Sequence, residues 1–587
     1  MAKINMPLAV DLEYSLVGGS TKTLTSYMQN AVVTKDGDRH YVEKRKGFEQ
    51  IRTTANKYGY GGKYWRNSVT ANYFSVETDT GTDDVKLYLG TSSRTAVTRS
   101  SFSGAHDGGN NEAALTDSDA SFGTNDLVGL TINNTTDGSA GTITANTPTT
   151  ITATLSGGTD NDWDTGDAYT IAAGGAFTFQ GTWPEYGSDI SAVTFQDNGE
   201  DSLVVHGFVS AVSTENIVVL KMDGVTPRVY AEITTVANNF PDVSAGYYTC
   251  PGLVELDGYI FVGMITGEIF NCPLSNVTGT WVSTDYLSSE RENDTLRWIC
   301  KHNNNLVAVG DSSIEFFYNA GNPGGSPLSR REDVFYDIGV AQQGYTGNKP
   351  AAASNDEILV FVGSRGYDNP NQDQTLGVYM IENFQMKKIS NQAMDAFVTP
   401  YTRVSIISVH DRTLVMVTEP TSSITYYYDV TSGLWAKLTL DGNTTPDVFD
   451  AEDGWMNVFD GAYLYHYKRD WVSDGTTSTD EPIPFEIVTQ EWDGGSVGNK
   501  FINAVTVVGQ HSWSADASNI SVSWSDDGGE NYTTARDVDL VTQDTIYRCG
   551  ITRRRKWKLS HTDSEPCRLE RLEIDGTMVA QSRNESS

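Results

Sequence analysis

Asp201-Ser-Leu-Val-Val-His-Gly207, Asp257-Gly-Tyr-Ile-Phe-Val-Gly263, Asn304-Asn-Leu-Val-Ala-Val-Gly310 and Asp356-Glu-Ile-Leu-Val-Phe-Val-Gly363 are four versions of one pattern. Each is a turn-forming acid or amide followed by an apolar strand that closes on glycine. Looser copies stand at Asp411-Arg-Thr-Leu-Val-Met-Val417 and Asp460-Gly-Ala-Tyr-Leu-Tyr465. The start points are 56, 47, 52, 55 and 49 residues apart. A second strand-like run trails several copies, at 267–274, 313–318, 377–381 and 424–429. A period near ~50 residues, made of short β-branched and aromatic runs between turns, suits four-stranded propeller blades. The alternative is a string of β-meanders that closes no ring. An earlier blade is read at 64–90, from Ala71–Val76 and Val85–Gly90. Helical periodicity is nearly absent, so the fold class is all-β: a β-propeller of six or seven blades.

Outward from the repeat, the composition changes twice. No Lys or Arg occurs between Ser100 and Leu220, a span of 121 residues with 16 Asp or Glu. Its centre is dense in Thr and Gly with alternating apolar residues, which reads as an inserted small β-module. From about 481 the repeat stops, and Val505–Val508, Ile520–Trp524, Lys556–Leu559 and Leu569–Ile574 read as strands of a separate β-sandwich-like domain. The expected division is therefore 1–58, an N-terminal extended or platform segment; 59–103, the first propeller strands; 104–173, the insertion; 174–480, the propeller; and 481–587, the C-terminal sandwich or platform domain.

The chain of 587 residues is long enough to bury several cores, and 11% aromatic residues argue against disorder. Seventy-six acids against 41 bases give a net charge of −35, which argues against a general nucleic-acid binder, since that needs a basic footprint. The five cysteines, Cys250, Cys272, Cys300, Cys549 and Cys567, form no C-x-x-C pair. That usage fits reduced thiols and assembly in a cytosol. The N-terminus shows no apolar signal core, and the longest apolar run, Ile358 to Val362, is strand-sized. A soluble chain not exported by a standard signal is expected, with no membrane insertion.

Chemistry-bearing motifs are few. Gly494-Gly-Ser496-Val-Gly498 matches G-x-S-x-G, but it lacks the strand-to-helix context of a nucleophile elbow and reads as a loop. The eight histidines are scattered without metal-ligand spacing, and Lys63 after Gly61-Gly62 lacks the rest of a P-loop. Asp160, Asp162 and Asp164, with Asp167 beyond, form a weak metal candidate. Counted from Asp160, the EF-hand positions six and twelve are Thr165 and Ile171 rather than Gly and Glu, so a solvated turn is the plainer reading. Ser525-x-Asp527-x-Gly529-x-x-Tyr532 fits the Asp-box hairpin, in which the acid caps turn amides and the glycine takes positive φ. Between 551 and 572 seven Lys or Arg face three acids. Strand alternation would send Arg553, Arg555 and Trp557 to one face and Arg554, Lys556 and Lys558 to the other. These five cations are candidates for docking onto an acidic neighbour, against the plainer reading of solvated ion pairs.

Asn322-Pro323-Gly324-Gly325-Ser326-Pro327-Leu-Ser-Arg330-Arg-Glu, followed by Asp337-Ile-Gly-Val340, then 355–366, Gly377-Val-Tyr379, Lys388-Ile-Ser390 and Ala393-Met394, is the most specific stretch. With Tyr27-Met-Gln-Asn-Ala31 and Lys44-Arg-Lys-Gly-Phe48 it resembles the tail-hub or nozzle proteins of short-tailed bacteriophages, also called packaged-DNA stabilisation proteins. The resemblance covers roughly 1–100 and 175–575, and the insertion departs from it. It implies a structural virion protein without enzymatic activity or cofactor. It further implies a homo-hexameric ring below the portal and an adaptor protein, with genomic DNA passing through its lumen unread. The ring would carry tail fibres or spikes and be assembled in the host bacterial cytoplasm. An acidic lumen would let DNA slide where a basic one would grip it; acidity serving solubility is the alternative. Two other function classes stay open at this point. One is a carbohydrate-binding or sialidase-like propeller, which would need a convergent Arg cluster, a Tyr nucleophile and several Asp boxes. The other is a host-encoded propeller scaffold for protein partners.

Overall fold

The computed structural model describes residues 3–14, 24–53, 59–66, 71–78, 85–90, 95–98, 101–120, 122, 127–172, 190–207, 217–223, 226–233, 238–241, 248–289, 291–292, 294–341, 351–364, 376–409, 412–419, 422, 424–440, 448–452, 455–458, 463–468, 473–476, 479–496, 498–510 and 519–578. It is all-β, a propeller-type architecture with one short α-helix, Gln392–Phe397, among those residues. The chain divides into two compact units. One comprises 54–374 and 380–386; the other comprises 1–53, 375–379 and 387–587.

In the first unit the repeats are antiparallel four-stranded sheets. Gly59–Arg66, Ala71–Thr78, Val85–Leu89 and Thr95–Ala96 form one, and Ile190–Asp197, Glu200–Gly207, Ile217–Asp223 and Thr226–Ile233 the next. Val254–Leu256, Tyr259–Gly263, Glu268–Asn271 and Tyr286–Ser288 follow, then Leu296–His302, Asn305–Gly310, Ile314–Asn319 and Leu328–Tyr336. In a fifth sheet Gly339–Val340 and Ala352–Ser354 both pair with Ile358–Ser364. The repeated turn acid or amide has a backbone reason, although in the first copy the turn is Asn198-Gly199 and Asp201 stands inside the strand Glu200–Gly207. Asn198-Gly199, Asp257-Gly258 and Asn303-Asn304 all hold positive φ, and they join the first two strands of their blades. Such two-residue hairpin turns demand the left-handed region, which Asn, Asp and Gly tolerate best. The apolar run after each turn is the second strand. It is buried along nearly its whole length because neighbouring blades cover both its faces: Asn305–Gly310 and Ile358–Ser364 are buried throughout.

Consecutive blades share cores. Trp65, Phe74 and Leu87 of the first sheet pack with Leu203, Val205 and Val218 of the second, although the insertion separates them in sequence. Val204, Val219 and Ile233 pack with Leu253, Ile260 and Val262, and Phe261 and Ile269 with Leu306, Ala308 and Phe317. The insertion is a six-stranded sheet ordered Phe102–Ala105, Ala168–Ile171, Thr131–Asn134, Ala140–Asn146, Thr150–Ala153, Ala114–Thr116. It has its own core of Leu115, Ile132, Ile143, Ile151, Trp163, Tyr169 and Ile171. Its two ends lie side by side, Phe102 opposite Ile171.

The second unit continues the series with Arg403–Val409, Arg412–Glu419, Ile424–Asp429 and Leu434–Leu438. The last blade takes three strands from Val448–Glu452, Trp455–Val458 and Tyr463–Lys468, and its fourth from the N-terminus: Gly47–Thr53 pairs antiparallel with Tyr463–Lys468. The described residues thus hold seven blade-type sheets, counting this composite one. The C-terminal strands fold with N-terminal ones rather than alone. Leu24–Gln29 bridges Leu434–Leu438 to Phe485–Val488, Lys556–His561, Asn519–Ser525 and Arg536–Asp539 in one sheet. Ala31–Asp36, Arg39–Lys44, Arg568–Met578, Lys500–Gln510 and Thr545–Thr552 make the other, with Lys3–Pro7 added to Arg568–Met578. One core runs through them, from Met28, Val33 and Phe48 to Val505, Val522, Trp557 and Leu572.

Candidate interaction surfaces

The N-terminal motif Lys44-Arg-Lys-Gly-Phe48 is a buried junction. Arg45 donates to Asp474 through both terminal nitrogens, at 2.8 and 2.5 Å, and its Nε donates to Asn30 Oδ1 at 3.0 Å. Its remaining donors reach the carbonyls of Lys46 and Thr439. All five guanidinium N–H groups are therefore matched, which is what lets a charge sit in a core. Asp474 also accepts from the Phe48 amide, and Asn30 Nδ2 donates to Thr439 Oγ1 at 2.6 Å and Pro484 O at 2.9 Å. Beside it Lys44 is buried with Nζ 3.3 Å from His561 Nδ1 and donating to Asp563 O. Burial lowers the Lys44 pKa to about 8, and burial with the nearby Lys44 lowers that of His561 to about 3. Nothing in the sequence pairs Arg45 with an acid 429 residues away.

The stretch that carries the family resemblance is also structural where it is buried. Arg330 pairs with the buried Glu315 at 2.7 Å and donates to Ser288 O at 3.0 Å, so it ties one blade to the preceding one. Glu315 also accepts from Ser289 Oγ and the Arg291 amide. Asn322 Nδ2 donates to the carbonyls of Ser326 and Leu328, closing the loop on itself. Ser326 and Pro327 are buried, whereas Asn322, Pro323, Gly324 and Gly325 are exposed. Arg365 and Gly366 lie outside the described residues. Lys221, the first base after the long span without any, is held by Asp197 at 2.8 Å and Glu200 at 3.0 Å.

Asp160, Asp162 and Asp164 place one carboxylate oxygen each within 4.8 Å of one another. Desolvation, then repulsion from Asp160, Asp164, Asp137 and Asp167, raises the Asp162 pKa. The cluster also does ordinary turn work. Asp164 accepts from the Asn111 amide, Asp160 from the Asn161 amide, and Asp167 from Asn134 Nδ2 and the Asp164 amide.

In the hairpin at 525–532, Asp527 accepts from the Glu530 and Asn531 amides and from Ser525 Oγ, and these bonds hold its carboxyl well below the usual range. Gly529 sits at φ 104° with its amide on Ser525 Oγ, and Lys558 Nζ lies 5.8 Å from the Tyr532 ring. Ser496 stands in a turn that the Asp493 side chain caps, with Gly494 and Gly495 both at positive φ. That is no strand-to-helix elbow. Tyr27 donates to Glu486, and burial followed by that carboxylate raises its pKa, the reverse of what a phenolate nucleophile needs.

The basic cluster is corrected by the structure. The strand begins at Lys556, after a bend at Arg553-Arg554, so alternation does not run through it. Arg555 is buried, paired with Asp526 through two hydrogen bonds of 2.7 Å, and lies 5.1 and 5.3 Å from the rings of Trp524 and Trp557. Lys556 is buried, and Lys558 pairs with Glu486 at 2.6 Å. Only Arg553 and Arg554 are exposed. Arg554 lies 3.4 Å from Glu491, and Arg553 Nε donates to Asn499 Oδ1 at 3.2 Å. A guanidinium buried between two indoles gains more from one ideal carboxylate than from solvent, and this draws Arg555 inward.

Residues 206–446 match the family described as Bacteriophage P22 Gp10, beta-propeller. Over that stretch the chain is similar to a phage tail β-propeller. The match takes in the last two strands of the second sheet, the third through sixth sheets and the whole of the Asn322–Arg330 loop. No curated protein matches the chain. Among solved structures, a glycoside hydrolase aligns at 11% identity over 65% of this chain and 96% of its own, with a TM-score of 0.23. The computationally designed Ika8 protein aligns at 12% identity over 62% of this chain and 99% of its own, with a TM-score of 0.26. BamB from Moraxella catarrhalis aligns at 10% identity over 48% of this chain and 84% of its own, with a TM-score of 0.27. At these scores the superpositions carry no argument about activity. Among the described residues no helix is long and apolar enough to cross a membrane.

Proposed function

We propose that this phage tail-type structural protein is the hub or nozzle subunit of a short tail. Copies would form a ring below the portal and adaptor, retain packaged DNA, conduct it on ejection and offer a docking surface for fibres or spikes. The observation that carries the reading is the match of 206–446 to the phage propeller family, on a chain whose interior charges serve as structural ties. Rigid ties suit a conduit: Arg330, paired with Glu315 within its own blade, reaches Ser288 O of the preceding one, Asp197, paired with Lys221 within its blade, accepts from the Val277 amide beyond it, and Arg45–Asp474 joins segments far apart in sequence. The strong net acidity fits a channel that repels rather than grips DNA. The test is removal of the gene for this chain from its phage. Heads should fill and then lose their DNA, with particles lacking the distal tail in cryo-EM. Intact DNA-filled particles with complete tails in its absence would overturn the proposal.

A further inference from the structure

The outer face of the C-terminal sheet carries an exposed apolar patch among the described residues. Phe501 and Ile551 are direct cross-strand partners, and they are 40% and 57% exposed. Tyr547, opposite Ala504 on the same edge strand, is 61% exposed. The register runs on from Phe501–Ile551 through Lys500–Thr552 to the neighbouring Asn499 and Arg553, which hydrogen-bond each other. Both stand just past the ends of these strands, next to the Phe501–Ile551 pair, and Arg553 is exposed. Arg553 therefore rims the patch on one side. Arg548, exposed at φ 59° beside Tyr547, rims it on the other, and no described residue pairs with it.

The edge strand Thr545–Thr552 is closed to strand addition along much of its length. Tyr547 O accepts from Arg536, Cys549 O from Arg555 and Ile546 O from the Cys549 thiol. Contact must then be made through the face, as an apolar centre with a cationic rim. The complement is abundant in the chain itself. The unit comprising 54–374 and 380–386 has 40 acids against 15 bases, whereas the unit bearing the patch has 36 against 26. We infer that the Phe501–Tyr547–Ile551 face docks onto the acidic blade-bearing unit of a second copy of this chain. The contact joins two different surfaces, so it is head-to-tail and able to close a ring. The inference rests on the ring reading above and assigns the surface that would make the ring.

The test uses the purified full-length chain in sedimentation velocity across about 1–50 µM. The parent should self-associate. Tyr547→Asp with Ile551→Asp should weaken association at least tenfold, while Tyr401→Asp, at another exposed tyrosine, leaves it unchanged. Arg548→Glu should weaken it more at about 0.05 M salt than at about 0.5 M, because a solvent-facing rim charge is screened. Each variant is checked for an unchanged melting temperature. Arg548→Glu removes no packed side chain, so it decides the matter should the double variant fail to fold. A parent that stays monomeric, or variants that associate like the parent, would overturn the inference. A parent that is monomeric alone yet enters tails in vivo would sink the self-docking face and leave the tail function standing.

Discussion

Arg45 shows how much rests on one side chain. Its five donors hold the Asn30 turn, Thr439 and the Asp474 hairpin together. Arg45→Met would leave the Asp474 carboxylate buried and unpaired, and the expected loss is about 3–5 kcal/mol by urea titration. Arg45→Met with Asp474→Leu should recover part of it, since an apolar pair avoids the stranded charge. The adjacent Lys44 and His561 predict a pH profile. His561 has its pKa lowered to about 3 in the folded chain, so the unfolded state binds the proton first. Its contribution is intact above about pH 6.5 and is lost as pH falls toward 3. Lys44, lowered to about 8, acts at the other end: stability gains as pH rises from about 8 to 10.5, where the unfolded amine still holds its proton. Denaturation midpoints against pH should lose the acid limb in His561→Asn and the alkaline limb in Lys44→Met.

Two elements depart from sequence order in opposite ways. The strand Gly47–Thr53 completes the last blade, where Phe48 stacks edge-on with Tyr467 at 5.5 Å and Lys468 pairs with Glu49 at 2.6 Å. Deleting residues 1–53 should therefore abolish soluble expression, and co-expression of that segment should restore some of it. A soluble, cooperatively melting 54–587 would refute this. The insertion is the converse case. Its core is its own and its ends are adjacent, Phe102 beside Ile171. Excising 102–171 with a short Gly-Ser bridge should leave the sheets on either side packed through Trp65, Leu87 and Leu203. The excised module should fold alone with a single sharp thermal transition.

At the scale of the whole molecule, two units with separate cores predict two steps in chemical unfolding. Arg45→Met should move only one of them. A single shared transition that shifts as a whole would show that the units unfold as one. The charge asymmetry between the units belongs to this scale too, because in the proposed ring it would set which surfaces of neighbouring copies attract.

Local chemistry was legible from the chain alone. Asn and Asp at the blade turns mark positive φ, buried runs such as Ile358–Val362 mark second strands, and the base-free span contains the insertion but runs on into the second blade. These features depend on a few neighbouring residues, and turn chemistry and burial leave their mark in composition. The partners of Arg45, Arg330 and Arg555, the N-terminal strand in the last blade and the inward turn of Arg555 were decided only by the tertiary structure. A guanidinium reads as basic surface until a carboxylate, supplied from as far as 429 residues along the chain, meets its fork geometry and makes burial cheaper than hydration.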